Sequence, residues 1–199
     1  MKRSLGLGLV ELIVAVAVLG IIAAVAAPSF SDMLNRRRVQ AVATSISTDI
    51  AYFRAEQSLR NQELDLLVNL DPVGHATSCY AIGILQNSRT CKACWNADDA
   101  AVCTGFGPAA LPVKVERLPT NTNVSFAANT DTLKFELPQL TPKPSDFFFD
   151  VCGASKINPR PVLRVELNAV GRAKVCSPNS SMSGYGTCTN GSALQCPAS

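Results

Sequence analysis

The apolar residues of this chain are concentrated in one run near the N-terminus. No polar side chain occurs between Leu12 and Ala27, and extending the run back to Leu7 adds a single charge, Glu11. The run is then about 20 residues long, which is the length that a helix needs to cross the hydrocarbon core of a bilayer. A short basic leader, residues 1–6, precedes it. The pattern therefore predicts an apolar helix long enough to span a membrane.

Beyond Pro28 the pattern becomes that of an amphipathic helix. Apolar residues recur at spacings of three and four, at Val39, Val42, Ile46, Ile50 and Phe53. This periodicity places them on one side of a helix. We therefore expect one helix from Leu7 to about Asn61, with a second half that packs on a sheet. Because proline cannot donate a helical hydrogen bond, Pro28 is expected to kink or loosen the helix where the halves join.

The remainder of the chain has the pattern of a β-rich domain, with short apolar runs between Pro-, Gly-, Asn- and Ser-rich turns. Strands are predicted at 79–85, 113–118, 124–126, 133–137, 147–152, 162–167 and 173–176. Within 162–167 apolar residues alternate with Arg164 and Glu166, which predicts a half-buried strand. The turn-rich stretches 119–123 and 141–145 are predicted breaks.

Composition excludes several classes of protein. The formal net charge is +3, and charged residues make up 17% of the chain, below the roughly 25% of an ordinary soluble domain. The chain is too apolar to be disordered, and a polybasic nucleic-acid packing protein would carry more Lys and Arg. The single histidine, His75, excludes chemistry that needs two. The sequence has no serine elbow, phosphate-binding loop or zinc-protease motif. We therefore expect neither an enzyme nor a cofactor.

Three interpretations of the N-terminal run compete. A secretory signal peptide cut near Ala27 fits the basic leader and the small residues. Pro28 beside that cut and the Glu11 carboxylate argue against it. A plain membrane anchor leaves Glu11 unexplained, because a charge inside a bilayer costs at least about 2.5 kcal/mol. In the third interpretation, a prepilin signal, the leader is cut off before the run and the run is kept.

The residues around Glu11 favour the third interpretation. The segment Gly6-Leu7-Gly8-Leu9-Val10-Glu11 resembles the type IV prepilin signature, which is a glycine, the cut, four residues and a glutamate. The resemblance implies cleavage between Gly6 and Leu7 by prepilin peptidase, and N-methylation of Leu7. Pro28 falls where pilin helices carry a proline. The resemblance also implies that, in a filament, Glu11 pairs with the free amine of Leu7 on the neighbouring subunit.

The same resemblance implies an α+β pilin fold with three segments. Residues 1–6 are the leader and residues 7–61 are the N-terminal helix, of which 7–28 is the transmembrane and assembly segment. Residues 62–199 are a β-rich domain in the periplasm, with an antiparallel sheet against which the helix packs. The implied partners are other pilin or pseudopilin subunits, prepilin peptidase and the inner membrane.

Three consecutive arginines, Arg36, Arg37 and Arg38, follow the apolar run. Contact with lipid phosphates, contact with DNA and a solvated face just beyond the membrane are all compatible with this cluster. The arginines outnumber Lys2 and Arg3, which opposes the positive-inside rule. The resemblance nevertheless places the leader in the cytoplasm.

All eight cysteines lie in the predicted β-rich domain: Cys79, Cys91, Cys94, Cys103, Cys152, Cys176, Cys188 and Cys196. An even number beyond a membrane-crossing signal indicates disulfides formed in the periplasm. The sequence does not determine their connectivity. We expect Cys176 to pair with Cys188 across the last hairpin and Cys152 to pair with Cys196 near the chain end, with the other four pairing among themselves.

A metal or redox alternative applies to the cluster around Cys91-Lys-Ala-Cys94. Together with Cys79 and Cys103 these residues would supply four thiolates for zinc. The spacing between the pairs is poor for such a site, and the inferred compartment is oxidising. No metal site is therefore expected.

The C-terminal stretch narrows the family. Residues 171–178, followed by Gly184-Tyr185 and Cys188, resemble the end of minor pilins of the GspH/FimT family. That family includes the type II secretion pseudopilin H and the fimbrial-biogenesis T pilins. Residues 35–41 and Cys79-Tyr80 resemble it as well. The implied function is that of a minor pilin or pseudopilin in pilus biogenesis or protein secretion.

An alternative function comes from a Gly-Arg-x-Arg motif that T-type members use to bind DNA during natural transformation. Here Lys174 replaces the second arginine, so the charge remains but the bidentate fork is lost. Arg172 and Lys174 would share one face of an extended segment and neutralise phosphates. Lys156, Arg160 and Arg164 are candidates to extend that patch.

Overall fold

The structure, a computed structural model, describes residues 8–69, 78–83, 113–118 and 122–196. The chain divides after Leu34 into two compact units, Met1–Leu34 and Asn35–Ser199. Several predicted features lie outside the described residues: the cleavage site at Gly6 and Leu7, the end of the first predicted strand at 84–85, and Cys91, Cys94 and Cys103.

Helix α1 extends from Leu9 to Arg60. It begins where the carbonyl of Gly8 accepts hydrogen bonds from the backbone N–H groups of Glu11 and Leu12, at 3.0 and 3.2 Å. The helix bends between Ala24 and Ser29. That interval contains Pro28, which has no N–H to donate.

The part of α1 in the second unit carries the predicted apolar stripe into the core. Five of its side chains are buried at spacings of three and four: Val39, Ala43, Ile46, Ile50 and Phe53. Val42, which the periodicity also assigned to the stripe, is partly buried. The helix ends just before Asn61, whose positive φ of 48° terminates the helical path.

Nine strands occur within the described residues. They are β1 (Asp65–Asn69), β2 (Ser78–Gly83), β3 (Lys114–Leu118), β4 (Ser125–Ala128), β5 (Thr132–Glu136), β6 (Thr141–Lys143), β7 (Phe148–Cys152), β8 (Val162–Leu167) and β9 (Ala173–Cys176). A five-stranded sheet has the order β3-β2-β1-β5-β6, and a four-stranded sheet has the order β4-β7-β8-β9. All pairings are antiparallel. The expected α+β class, a long N-terminal helix packed on antiparallel strands, is confirmed.

One apolar core joins the helix to both sheets. Phe53 of α1 packs on Phe135 of β5, with ring centroids 5.1 Å apart. Phe149 of β7 packs on Phe147 and on Tyr80 of β2, at 5.2 and 5.8 Å. Aromatic pairs at these separations add to the free energy gained by burying their area.

A buried polar contact also joins α1 to the five-stranded sheet. Asp49 accepts hydrogen bonds from the Tyr80 hydroxyl and from Lys114 Nζ, the latter at 2.6 Å. Burial, and secondarily the neighbouring Asp49 carboxylate, raise the pKa of Tyr80, so its hydroxyl remains a donor. The Asp49 carboxylate is therefore paired although the helix face around it is apolar.

The sequence prediction is wrong for two strands. It missed β1, and it assigned residues 141–145 to a break although Thr141–Lys143 forms β6. Pro142 suggested the break. Because β6 is the outermost described strand of its sheet, a residue without an N–H is tolerated there.

The prediction of a half-buried β8 is also wrong, because all six of its residues are buried. Leu163, Val165 and Leu167 belong to the apolar core, so Arg164 and Glu166 point to the other face of the sheet. The chain end covers that face. We call residues 188–196 the C-terminal strap.

Candidate assembly segment and candidate nucleic-acid surface

The first candidate site is the apolar segment at the start of α1. Every described side chain from residue 8 to 24 is exposed. The large apolar ones, from Leu9 to Ile22, expose between 50% and 76% of their surface. A helix that is apolar all round and uncovered is unstable in water. Nothing among the described residues covers this segment, so it is a candidate for burial in lipid or against other protein chains.

The described residues contain no single helix that meets the length and hydropathy criteria for a membrane span. The segments Leu9–Ala24 and Ser29–Arg60, on either side of the bend, meet those criteria only when they are taken together.

Glu11 lies in the first turn of α1. A carboxylate is favourable there because the helix dipole places partial positive charge at the N-terminus. The side chain is exposed, and it has no hydrogen-bonding or ionic partner among the described residues. It is also the one charged residue between Gly8 and Ser31. Glu11 is therefore a single carboxylate within an apolar surface.

The second candidate site is the hairpin between β8 and β9. Asn168 shapes its turn by accepting hydrogen bonds from the N–H groups of Val170 and Arg172, at 3.2 and 2.8 Å. Gly171 has a φ of +69°, and a side chain there would collide with the Phe135 ring. Glycine is therefore required at the position just before Arg172.

The structure brings Arg172 and Lys174 to one face of this hairpin. Ala173 and Val175 pack against the core, so the residues that alternate with them point away from it. Both basic side chains are exposed. The Arg172 guanidinium makes no ion pair within the described part of the chain.

Lys174 is already paired. Its Nζ lies 3.4 Å from Oε1 of Glu166, which faces it across β8 and β9. Burial alone would raise the pKa of Glu166. The backbone N–H groups of Thr189 and Asn190, with Lys174, outweigh that effect and hold the pKa below its ordinary value. Glu166 is therefore an anion that offsets the Lys174 charge.

The predicted extension of the basic patch is wrong. Arg164 is fully buried and forms a two-pronged ion pair with Asp150, at 2.7 and 2.9 Å. Lys156 and Arg160 precede β8, at the end opposite the Arg172 hairpin. The structure thus places Arg172 and Lys174 together and the other three elsewhere.

The sequence pattern did not reveal the network that holds the C-terminal strap. Arg164 donates hydrogen bonds to the carbonyls of Asn190, Ser192 and Ala193, at 2.8, 3.1 and 3.3 Å. Asp150 accepts one from the N–H of Gln195, at 2.8 Å. The cysteines at both ends of the strap, Cys188 and Cys196, were a signal that this segment is held against the domain. Strand alternation alone could not show that the strap covers Arg164.

Two described disulfides close the strap. Cys176 pairs with Cys188 and Cys152 pairs with Cys196, with Cα atoms 5.1 and 5.8 Å apart. These are the two pairings expected from the sequence. Cys79 is disulfide-bonded as well, so its sulfur is not a thiolate ligand for a metal.

Comparison with known proteins gave structural neighbours only. No family model and no curated protein matches the chain. Two crystal forms of the type IV minor pilin FimU from Pseudomonas aeruginosa strain PAO1 are similar to it. One gives a TM-score of 0.48 at 15% identity, over 70% of this chain and 89% of FimU. The other gives a TM-score of 0.45 at 16% identity, over 68% of this chain and 90% of the FimU chain. At these values the similarity assigns neither family nor function.

Proposed function

We propose that this chain is a type IV prepilin, and that its mature form is a subunit of a pilus or pseudopilus. The observation that carries the proposal is the exposed apolar surface of residues 8–24, which holds one carboxylate, Glu11. The prepilin-like residues 6–11 lie at the start of this segment. A helix that must be covered by lipid or by other subunits suits a protein that leaves the membrane to join a filament.

Glu11 would act in assembly. A carboxylate in lipid is unfavourable unless it gains a partner. Cleavage between Gly6 and Leu7 creates a new amine four residues before Glu11, and the same amine on a neighbouring subunit can neutralise the carboxylate. Pairing between subunits would then favour assembly and set the axial register. The leader would be removed, and Leu7 methylated, by prepilin peptidase.

The finer assignment is to the minor pilins or pseudopilins of the GspH/FimT family. Its support is the resemblance of residues 35–41 and of residues 171–178, 184–185 and 188. In this proposal residues 7–28, with Pro28 at the bend, lie in the inner membrane and then in the filament. The domain lies in the periplasm and faces outward after assembly. The filament would be a type IV pilus or the pseudopilus of a type II secretion system.

Cleavage is tested by determining the mature N-terminus by mass spectrometry in cells with and without prepilin peptidase. We expect N-methylated Leu7 with the peptidase and the intact leader without it. An N-terminus near Ala27 in both strains would instead identify a secreted domain released by signal peptidase, and the prepilin proposal would be wrong.

The role of Glu11 is tested by measuring the amount of subunit in sheared filaments. We expect Glu11→Gln to be cleaved and inserted into the membrane but largely absent from filaments, because the neutral amide cannot pair with the amine. Glu63→Gln is the matched control, since Glu63 is an exposed residue of the domain. Equal incorporation of both variants would contradict the assembly role.

DNA binding is a second candidate function, favoured by the shared exposed face of Arg172 and Lys174. Residues 167–199 contain no Asp or Glu. The hairpin and the C-terminal strap therefore add no acidic side chain that would neutralise Arg172. The Glu166–Lys174 pair reduces the available charge. Phosphate binding there would be independent of sequence and sensitive to salt.

A mobility-shift assay on the full chain in detergent micelles tests this function. The double variant Arg172→Ala with Lys174→Ala should abolish a salt-sensitive shift. Lys143→Ala, which removes an exposed lysine from β6, should leave it unchanged. A shift of equal strength in all three proteins would exclude the hairpin as the binding surface.

A further inference from the structure

Asn35, the first residue of the second unit, ties α1 to two loops of the domain. Its Oδ1 accepts a hydrogen bond from the N–H of Ala154, at 3.1 Å, and its Nδ2 donates one to the carbonyl of Asn123, also at 3.1 Å. Asn35 is 5% exposed. The contact is close, since a side chain on Gly153 would collide with Asn35. The loop 153–161 is therefore fixed beside the arginine cluster.

This loop adds two basic residues to the three arginines. We call Arg36, Arg37, Arg38, Lys156 and Arg160 the basic collar. Arg36 donates to the carbonyl of Ser181 and Arg38 to that of Thr122. Arg160 donates to the carbonyl of Gly153, at 2.8 Å. The collar thus combines side chains from α1 and from the loop before β8 at one end of the domain.

The sequence around the collar contains almost no negative charge. No Asp or Glu occurs in 33–48, in 122–130 or in 151–165. Asp32, one turn before Arg36, is the nearest carboxylate along the chain. Arg37 and Lys156 are exposed, and neither makes an ion pair among the described residues. Among the described residues the collar is therefore a positively charged surface.

The position of the collar in the chain favours an anionic lipid surface over nucleic acid. Only 11 residues separate Ala24, in the exposed apolar segment, from Arg36. If that segment lies in a bilayer, the chain keeps the collar close to the headgroups. Basic residues beside a membrane span are attracted to anionic lipids within about a Debye length, 8–10 Å at physiological salt.

We propose that the basic collar binds the phosphates of anionic phospholipids at the membrane surface before the subunit enters a filament. The inference rests on the proposed membrane insertion of residues 7–28. The role it gives the five basic residues is separate from the packing of the apolar helix in a filament. Salt-sensitive contacts of this kind would orient the domain at the membrane surface. They would be released when the subunit leaves the membrane for the filament.

The test uses the full chain in nanodiscs and follows acylation of lysine amines by a membrane-impermeant reagent. In discs that contain phosphatidylglycerol, Lys156 should react about threefold or more slowly than in phosphatidylcholine discs, because anionic headgroups cover it. About 0.5 M NaCl should restore the rate, since it screens the attraction. Lys143, 64% exposed and outside the collar, should react equally in both lipids.

Matched variants identify the residues responsible. Arg37→Gln with Arg38→Gln should remove most of the Lys156 protection, whereas Arg172→Gln should retain it.

Equal Lys156 acylation rates in the two lipids, with the chain retained in the discs, would overturn the collar proposal alone. Loss of the chain from the discs would overturn membrane insertion as well. If duplex DNA protects Lys156 in phosphatidylcholine discs more strongly than anionic lipid does, the collar is a nucleic-acid surface and the lipid assignment is wrong.

Discussion

The two parts of α1 both carry regularly placed apolar side chains, but their surroundings are opposite. In residues 8–24 every described side chain is exposed. In residues 39–53 five apolar side chains, Val39, Ala43, Ile46, Ile50 and Phe53, are each at most 2% exposed. The second part is stabilised by the chain's own sheets. The first part has no such cover within the described residues.

The two regions also differ in how they treat charge. The N-terminal segment carries one carboxylate, Glu11, without a described partner. The domain instead buries Asp150 and Arg164 completely and pairs them with each other and with the strap. Within the described residues the domain therefore neutralises this buried pair internally, whereas Glu11 meets no opposite charge. Four predictions follow from this contrast, from the largest effect to the smallest.

Removing the buried cation should have the largest effect on stability. Arg164→Ala leaves Asp150 buried without its partner and removes the donors to the strap carbonyls. Breaking a buried pair in this way costs about 3–5 kcal/mol in free energy of unfolding. Urea unfolding of the full chain in micelles measures the loss. Arg172→Ala, an exposed arginine nearby, should leave the midpoint nearly unchanged; a similar loss in both variants would show that Arg164 has no special role.

The same truncation in the two parts of α1 should have unequal effects. Ile50 is 1% exposed and Ile21 is 66% exposed. Ile50→Ala should therefore lower the free energy of unfolding of the domain by about 2–5 kcal/mol, through lost burial and the cavity left behind. Ile21→Ala should leave domain unfolding in micelles unchanged. Equal losses would mean that residues 8–24 are part of the folded core.

Acid should weaken the strap through Glu166. Its pKa in the folded chain is below the ordinary value of 4.5, so its contribution to stability is present above that value. The contribution is lost as the pH falls through the folded-state pKa. Urea midpoints measured between about pH 6 and about pH 3 should therefore fall less in Glu166→Gln than in the unmodified chain. Identical pH profiles would contradict the role of Glu166, and Glu63→Gln serves as the exposed control.

The smallest effect is expected at Lys174. Its side chain is 54% exposed, and exposed ion pairs contribute about 0–1 kcal/mol. Lys174→Ala should shift the unfolding midpoint slightly, and by less as salt is added. If Lys174→Ala lowered the free energy of unfolding as much as Arg164→Ala, an exposed ion pair in this hairpin would contribute as much as the buried one, and the expected difference would be wrong.

The sequence was sufficient where a local pattern also decides burial. The stripe Val39 to Phe53 and the strands β8 and β9 follow from apolar periodicity, and they lie where that periodicity predicted. The two strap disulfides agree with the expectation as well. Residues 8–24 have an equally clear pattern, since they are apolar on all sides apart from Glu11, and every described side chain among them is exposed.

The sequence was insufficient where distant segments decide. Arg164 and Glu166 alternate with apolar residues as solvent-facing charges do, yet the strap, more than 20 residues later, covers them. Pro142 indicates a break in isolation but is accommodated at a sheet edge. The basic collar combines residues 36–38 with a loop more than 100 residues further along, which no local pattern indicates.

The contacts of Asn35 set a practical limit for work on the isolated domain. Asn35 is the first residue of the unit 35–199, and its amide bonds to Ala154 and Asn123. A soluble fragment that begins after it would leave the N–H of Ala154 and the carbonyl of Asn123 without this partner, and would open space beside Gly153. Fragments for crystallisation or binding assays should therefore begin before residue 35, so that the cut does not perturb the loops beside it.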